Sequence, residues 1–163
     1  WFGIICYGLM LPLMLYRLIF SHEVPDAAKP TIAILAAPAS LSLAGYLTVS
    51  EEPSLLLVAV LLGIAVLMTG IIYLAFIKLL RLPFSPGYAA FTFPLVIGAT
   101  ALFKVSQLLS QWPEAADYAW QLHQLAYLEL GVATLVVGYV SLRYLMFFLP
   151  PGQTGVLEVP ARR

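Results

Sequence analysis

Residues 54–80 read SLLLVAVLLGIAVLMTGIIYLAFIKLL, an apolar stretch in which Lys78 is the one charged residue. A helix needs roughly 20 consecutive apolar residues to cross the hydrocarbon core of a bilayer, which is about 30 Å thick. This stretch meets that length and contains no proline. It therefore predicts a transmembrane helix and places the chain among the integral membrane proteins.

Four further stretches have the same character. The longest follows Tyr118 and contains His123, Glu129 and Arg143. The links between the stretches carry most of the prolines and charges, as loops do. We therefore expect an all-α integral membrane chain with five transmembrane helices at residues 1–20, 31–49, 54–80, 86–109 and 120–149, and a polar tail at 150–163.

The overall composition excludes several classes of protein. Hydrophobic residues make up 62% of the 163 residues and charged residues 10%, whereas soluble domains carry about 25% charged residues. Mean hydropathy is +0.96. Eight basic residues balance eight acidic ones, so the chain has no basic field to hold nucleic acid. A soluble enzyme and a nucleic-acid-binding protein are both excluded.

Motifs for catalysis or metal binding are missing from the sequence. Cys6 is the single cysteine, which excludes an internal disulfide framework and a multi-cysteine metal site. The sequence contains no GxSxG, HExxH or Walker motif and no arginine repeat of a voltage sensor. We expect no enzymatic activity, no cofactor and no metal.

Charges at the helix ends alternate in sign along the chain. The first link, the third link and the C-terminal end are basic, with Arg17, Lys29, Lys78, Arg81, Arg143, Arg162 and Arg163. The second and fourth links are acidic, with Glu51, Glu52, Glu114 and Asp117. The positive-inside rule then puts the basic ends and the tail in the cytoplasm. Because the first residue already lies in an apolar run, we expect the chain to be part of a longer protein.

Two of the prolines that lie inside predicted helices, rather than in links, bear on a transport path. Pro38 falls in the second helix and Pro94 in the fourth. An interior proline removes a backbone hydrogen bond and kinks the helix. Bent helices of a transport path have such prolines, but proline is also common in membrane helices generally, and the sequence leaves both interpretations open.

The second helix also carries a stripe of small residues. They recur at i, i+4, i+7 and i+11, and so share one helix face: Ala33, Ala37, Ser40 and Ala44. Small side chains let a neighbouring helix approach closely, or they leave an open path. Both interpretations stand at this point.

A similar spacing in the fourth helix places an aromatic ring and a cation on one face. That face holds Ala89 or Ala90, then Phe93, Ile97, Thr100 and Lys104. Lys104 lies about 16 Å from Phe93 along the axis, at 1.5 Å per residue. This suits an anion route with a plug, and equally a lipid-facing ring with a snorkelling lysine.

Glu129 is the remaining charge deep in a predicted span. Intramembrane carboxyl groups usually pair or face a cavity. Lys104, on the preceding antiparallel helix, is the expected partner, and the alternative role for Glu129 is in a proton relay. We expect His123 to lie at the membrane interface, with no metal ligand beside it.

Two stretches resemble a known family. KPTIAILAAPASLSLAGYL at 29–47 and RLPFSPGYAAFTFPLVIG at 81–98 are similar to the tellurite-resistance/C4-dicarboxylate transporter family, which includes slow-type anion channels. The more specific part is the run Phe91-Thr92-Phe93-Pro94. The resemblance implies ten membrane helices in five hairpins, arranged as a pseudo-fivefold ring around a pore. It also implies a homotrimer in the plasma (inner) membrane, of which this chain is the second half of one subunit.

The resemblance implies specific roles for the second and fourth helices. They correspond to inner, pore-lining helices bent by Pro38 and Pro94, and Phe93 corresponds to the ring that occludes the pore. Residues on the same two helices are expected to line it: Ala33, Ala37, Ser40, Ala44, Ala90, Ile97 and Thr100. Lys104 and Glu129 are expected to attract anions or to pair.

The expected function is an anion channel or channel-like transporter with a phenylalanine gate. One alternative is a proton-coupled carrier of C4-dicarboxylates, or an efflux protein for tellurite and similar oxyanions, with Glu129 as the coupling group. The other is a structural membrane subunit without a pore. The expected partners are small anions or dicarboxylates, membrane lipid and further copies of the chain.

Overall fold

The computed structural model describes residues 1–20, 26–81 and 84–149, and every regular element within them is helical. The α-helices are α1 (Phe2–Phe20), α2 (Ala37–Val49), α3 (Leu55–Leu79), α4 (Thr92–Leu109) and α5 (Ala116–Phe148). Short 3₁₀ helices cover Asp26–Ala36, Pro86–Phe91 and Pro113–Ala115. The tail 150–163, with Arg162 and Arg163, and parts of the first and third links lie outside the described residues.

Among the described residues, five helical segments are long and apolar enough to cross a membrane, which confirms the prediction of five such helices. They are Phe2–Phe20, Ile32–Val49, Leu55–Phe76, Pro86–Leu109 and Pro113–Phe148. The last span begins at Pro113, earlier than the predicted residue 120, because α5 already begins at Ala116 with polar turns. Each helix hydrogen-bonds its own backbone, as a lipid environment requires.

The second and fourth spans share a change of helix type that the sequence pattern did not predict. Each begins as a 3₁₀ helix and continues as an α-helix, with the change at Ala36–Ala37 and at Phe91–Thr92. Pro38 is therefore the second residue of α2, and Pro94 the third residue of α4. Both prolines thus lie inside their spans, as expected, but near the start of the α-helical part rather than in its middle.

The position of the prolines has a direct physical reason. A proline lacks the N–H that would continue the preceding 3₁₀ bonding. The first turn of an α-helix does not use its N–H groups within the helix. Proline is therefore tolerated at the start of the α-helical part, where one bonding pattern ends and the other begins.

Helix α4 lies at the centre of the bundle. It packs along the length of α5 on one side and against α2 on another. The two 3₁₀ segments that open these spans, Asp26–Ala36 and Pro86–Phe91, pack against each other. Helix α1 makes less contact, and Tyr7 is its one buried residue.

The start of α4 is held by a buried aromatic cluster. Phe91 is fully buried, and its ring centroid lies 5.1 Å from that of Phe76 on α3 and 5.1 Å from that of Tyr88. Leu95, one turn further along α4, completes the cluster. Rings in edge-to-face contact at this distance are attractive beyond their buried area. The cluster therefore joins α3 to the 3₁₀–α junction.

Helix α5 fixes the same segment from the other side. The Tyr144 hydroxyl donates a hydrogen bond to the carbonyl of Pro86, the first residue of the 3₁₀ segment. The Phe84 ring contacts Tyr144 edge-on at 5.2 Å, and the Arg143 guanidinium lies 5.5 Å from the Phe84 ring centre. Both ends of the segment before α4 are thus anchored.

The cluster makes a prediction about two neighbouring phenylalanines. Phe91→Ala removes a fully buried ring and should lower the free energy of unfolding by about 3 kcal/mol, because no side chain refills the space. Phe93→Ala, two residues away, removes a ring that is 51% exposed and should cost less than about 1 kcal/mol. Unfolding in mixed detergent micelles measures both, and equal losses would contradict this assignment of the core.

Candidate functional site

One face of α4 is not covered by any other described helix. Ala89, Phe93, Val96 and Thr100 are exposed on it, at the spacing of successive helical turns. The Phe93 ring is 51% exposed although its neighbours Phe91 and Pro94 are fully buried. We call this surface the open face of α4. A large ring therefore projects from the centre of the bundle into uncovered space.

The second span has an open face of the same kind. Ile34, Leu41, Gly45 and Thr48 are exposed at the same helical spacing, and Pro38 is half-buried among them. We call this surface the open face of α2. Because α2 packs against α4, the two open faces belong to neighbouring helices at the centre of the structure.

The small-residue stripe of the second span does not lie on its open face. Its four members are buried, with exposed fractions between 0% and 5%: Ala33, Ala37, Ser40 and Ala44. Small side chains at this spacing let helix backbones approach closely in membranes. The stripe is thus a packing surface between helices. Of the two interpretations that the sequence left open, the structure favours packing over pore lining.

The remaining residues expected to line a pore have different positions. Thr100 is exposed, Ala90 and Ile97 are half-buried beside Phe93, and Pro94 is buried behind it. The Thr100 hydroxyl donates to the carbonyl of Val96 at 2.9 Å, and the Thr48 hydroxyl of α2 donates to Ala44 at 2.7 Å. Both hydroxyl donors are therefore used within their own helices, so the open faces are mostly apolar.

Lys104 lies at one end of the open face of α4, beside the link between α2 and α3. It lines a cleft of about 410 Å³ together with Glu51, Glu52, Gln107 and Gln111. Lys104 is the one charged residue in the sequence of α4. Glu51 and Glu52 line the same cleft and more than offset its charge, so the cleft is polar with a net formal charge of −1.

Glu129 lies inside the helix bundle. It is 4% exposed, and its Oε2 accepts a hydrogen bond of 2.6 Å from the hydroxyl of Tyr73 on α3. Its Oε1 is buried and has no hydrogen-bond partner among the described residues. A methyl group added at Gly98 of α4 would lie 3.1 Å from this oxygen. The carboxyl group thus sits against the back of α4, between α3 and α5.

The expected pair between Lys104 and Glu129 is not formed. Across the α4–α5 contact, Glu129 lies against Gly98, whereas Ser106 contacts His123 with 3.4 Å between Oγ and Nδ1. Lys104 is six residues beyond Gly98, about 9 Å further along the helix. The expectation that Lys104 is the partner of Glu129 was therefore wrong.

Tyr73 is the partner that the sequence pattern did not reveal. It lies 56 residues before Glu129, on a helix whose apolar sequence gave no sign of which face meets α5. A tyrosine inside a long apolar run is the one signal that was available. Because a buried hydroxyl usually has a hydrogen-bond partner, a tyrosine in such a run indicates that a polar group on another helix lies close to it.

Comparison with known proteins identifies one family. The sequence model of the voltage-dependent anion channel family matches residues 1–147. The matched residues contain α1 to α4, all of α5 except Phe148, and both open faces. Comparison with curated proteins and comparison with solved structures each gave no match.

The Tyr73–Glu129 hydrogen bond predicts a stability difference that can be measured. Tyr73→Phe leaves the buried carboxyl of Glu129 without its hydrogen bond, and should cost about 1–3 kcal/mol of folding free energy. The double variant Tyr73→Phe/Glu129→Leu should recover most of the loss, because it removes both polar groups together. Lys104→Met should leave stability within about 0.5 kcal/mol of wild type. A loss as large for Lys104→Met as for Tyr73→Phe would show that Lys104 stabilises the carboxyl.

Proposed function

Because the chain belongs to the voltage-dependent anion channel family, we propose that α2 and α4 form part of the wall of an anion pore and that Phe93 is its gate. The family and the five apolar helices make the chain an integral membrane protein of anion transport. The observation that carries the proposal is the exposed Phe93 ring on a helix whose opposite side is buried.

The surroundings of Phe93 suit a gate. The backbone just before it is fixed by the buried cluster around Phe91, and the backbone after it by the packing of Leu95. The ring itself meets no such packing, so a change of rotamer moves it without unfolding the helix start. A ring that closes a narrow apolar passage blocks ions by size and by excluding water.

The rest of the open faces suits weak interaction with a passing anion. Thr48 and Thr100 donate within their own helices, so neither hydroxyl holds an anion tightly. Conduction requires that an ion enter and also leave readily. Lys104 and the acidic residues beside it form one mouth of this path, where the local charge sets how many anions approach.

A closed pore needs more wall than two helices provide. We propose that five further helices of the same subunit complete the ring, with α2 and α4 as two of its five inner helices and α1, α3 and α5 outside. In the plasma (inner) membrane, the link between α3 and α4 and the C-terminal end would face the cytoplasm, following the positive charges. Three such subunits would assemble as a homotrimer, each with its own pore.

The coupled carrier receives less support than the channel. Its coupling group would be Glu129, and that carboxyl lies against Gly98, on the side of α4 away from the exposed Phe93 ring. An ion moving along the open faces would not meet it. The structural subunit is favoured by one observation, the burial of the stripe that includes Ala37 and Ser40, but that function leaves the open faces unexplained.

Removing the Phe93 ring should open the path. In recordings from the complete protein in planar bilayers, Phe93→Ala should raise the anion current by about tenfold or more, equivalent to lowering the barrier by about 1.4 kcal/mol. The matched control is Phe2→Ala, which removes an exposed ring from α1, a helix that the proposal places outside the ring. Its current should stay at the wild-type level.

The outcome separates the candidate functions. A silent wild type with a conducting, anion-selective Phe93→Ala variant would support both the pore and the gate. Silence from both proteins, each folded and assembled, would contradict the channel. Uptake of dicarboxylates driven by a pH gradient, and lost in Glu129→Gln, would then establish the carrier, and its absence would favour the structural subunit.

The cleft around Lys104 predicts an effect of salt on the current. Lys104→Gln should lower the anion current of the Phe93→Ala background about twofold at 0.01 M salt, where the Debye length is about 30 Å, and hardly at all at 1 M, where it is about 3 Å. Glu51→Gln/Glu52→Gln in the same background should change the current in the opposite direction. Insensitivity of the current to all three charges would place the mouth of the pore elsewhere.

A further inference from the structure

A cavity of about 200 Å³ lies on the side of α4 opposite to its open face. Ser40 of α2 and Gly98 and Ala101 of α4 line it from the inside of the bundle. Tyr73 and Glu129 line it from α3 and α5. This cavity is separate from the path assigned to anions, because α4 stands between the two.

The cavity opens to the outer surface of the bundle between two helices. Among the described residues, α3 and α5 have few backbone contacts with each other, and the Tyr73–Glu129 hydrogen bond crosses the gap. Val66 on α3 and Leu125 on α5 line the cavity and are 47% and 40% exposed. Gly70 on α3 is also exposed there. A hydrophobic molecule dissolved in the membrane can therefore enter from the side.

The cavity is mainly apolar, and its polar lining groups are the hydroxyls of Ser40, Thr69 and Tyr73 and the carboxyl group of Glu129. Its walls are mainly aliphatic side chains and glycines. Glu129 is one of the lining residues, and its Oε1, next to Gly98, is buried without a hydrogen-bond partner among the described residues. A buried polar atom left without a partner costs roughly 1–3 kcal/mol. A molecule that fills the cavity and donates a hydrogen bond to Oε1 would remove this cost.

We propose that this cavity binds a neutral, hydroxyl-bearing hydrophobic molecule about the size of one aromatic ring. The hydroxyl hydrogen-bonds Oε1 of Glu129, and the apolar part lies between α3 and α5 against Gly98 and Ala101. The size follows from the volume, since apolar cavities of roughly 150 Å³ bind benzene. The site is distinct from the gate of the proposed pore and does not depend on it.

The lining argues for a neutral ligand. An anion would meet the carboxyl group of Glu129 without a compensating cation, because Lys104 lies in a different cleft. A cation would have to be desolvated in an apolar cavity reached through lipid, which is costly. A hydroxyl group both donates and accepts hydrogen bonds, and therefore matches the carboxyl in either protonation state.

Binding can be measured with small fluorinated probes. The protein in lipid nanodiscs is titrated with 4-fluorophenol, and the ¹⁹F signal reports the bound fraction. The matched probe 4-fluorotoluene has a methyl group in place of the hydroxyl. We expect saturable binding of 4-fluorophenol, about tenfold tighter than that of 4-fluorotoluene, the usual effect of one hydrogen bond to a buried group.

Two variants test the location. Gly70→Leu should abolish binding by filling the cavity, since a side chain at Gly70 meets no atom within 4 Å. Gly63→Leu, the same change two turns earlier on α3 and outside the cavity lining, should bind like wild type. Tyr73→Phe/Glu129→Leu removes both polar groups and should eliminate the preference for 4-fluorophenol. Phe93→Ala should leave binding unchanged.

Several results would overturn the proposal. Equal affinity for the two probes would show a purely apolar cavity, and tighter binding of 4-fluorobenzylamine than of 4-fluorophenol would show a cation site. Binding unaffected by Gly70→Leu would place the probe elsewhere. If neither probe saturates while all variants unfold like wild type, the cavity holds water alone.

Discussion

The structure depends on one constraint, that backbone N–H and C=O groups in lipid must be hydrogen-bonded within the protein. The five helices satisfy it along their lengths, and the exposed threonines extend it to their side chains by donating to carbonyls one turn earlier, as Thr100 does to Val96. The same constraint explains why Pro38 and Pro94 lie in the first turns of α2 and α4. There, proline is tolerated, because the first turn of an α-helix makes the least use of its N–H groups.

Helix α4 combines a fixed backbone with one exposed side. Its three sides have different surroundings: α2 and the aromatic cluster around Phe91, the long contact with α5, and the uncovered face that carries Phe93. A rigid helix start with one unpacked ring is suited to a gate, because the ring moves while the backbone stays in place. The buried carboxyl of Glu129, a residue of α5, lies against the opposite side of α4 at Gly98.

Sequence reasoning succeeded where the signal was local. It failed where the answer required the position of a residue along its neighbouring helix, or the neighbour that a helix face contacts. The apolar run at 54–80, the four other apolar runs and the links between them were sufficient to predict the five helices. Spacing also placed Phe93 and Thr100 together on one face of α4, and both are exposed there. It could not tell that the stripe of Ala37 and Ser40 turns inward, because a small residue suits a packed interface and an open path equally well.

The sequence by itself determined the fold class, since no soluble core can hide a chain that is 62% hydrophobic. It also determined which residues share a helix face, because the helical repeat is fixed by backbone geometry. Only the tertiary structure decided what each face meets. Tyr73 reaches Glu129 across 56 residues of chain, whereas Lys104 lies about 9 Å further along α4 than Gly98, the residue that Glu129 contacts. Such contacts depend on how helices shift and rotate against one another, and that is set by packing over their whole lengths rather than by any local pattern.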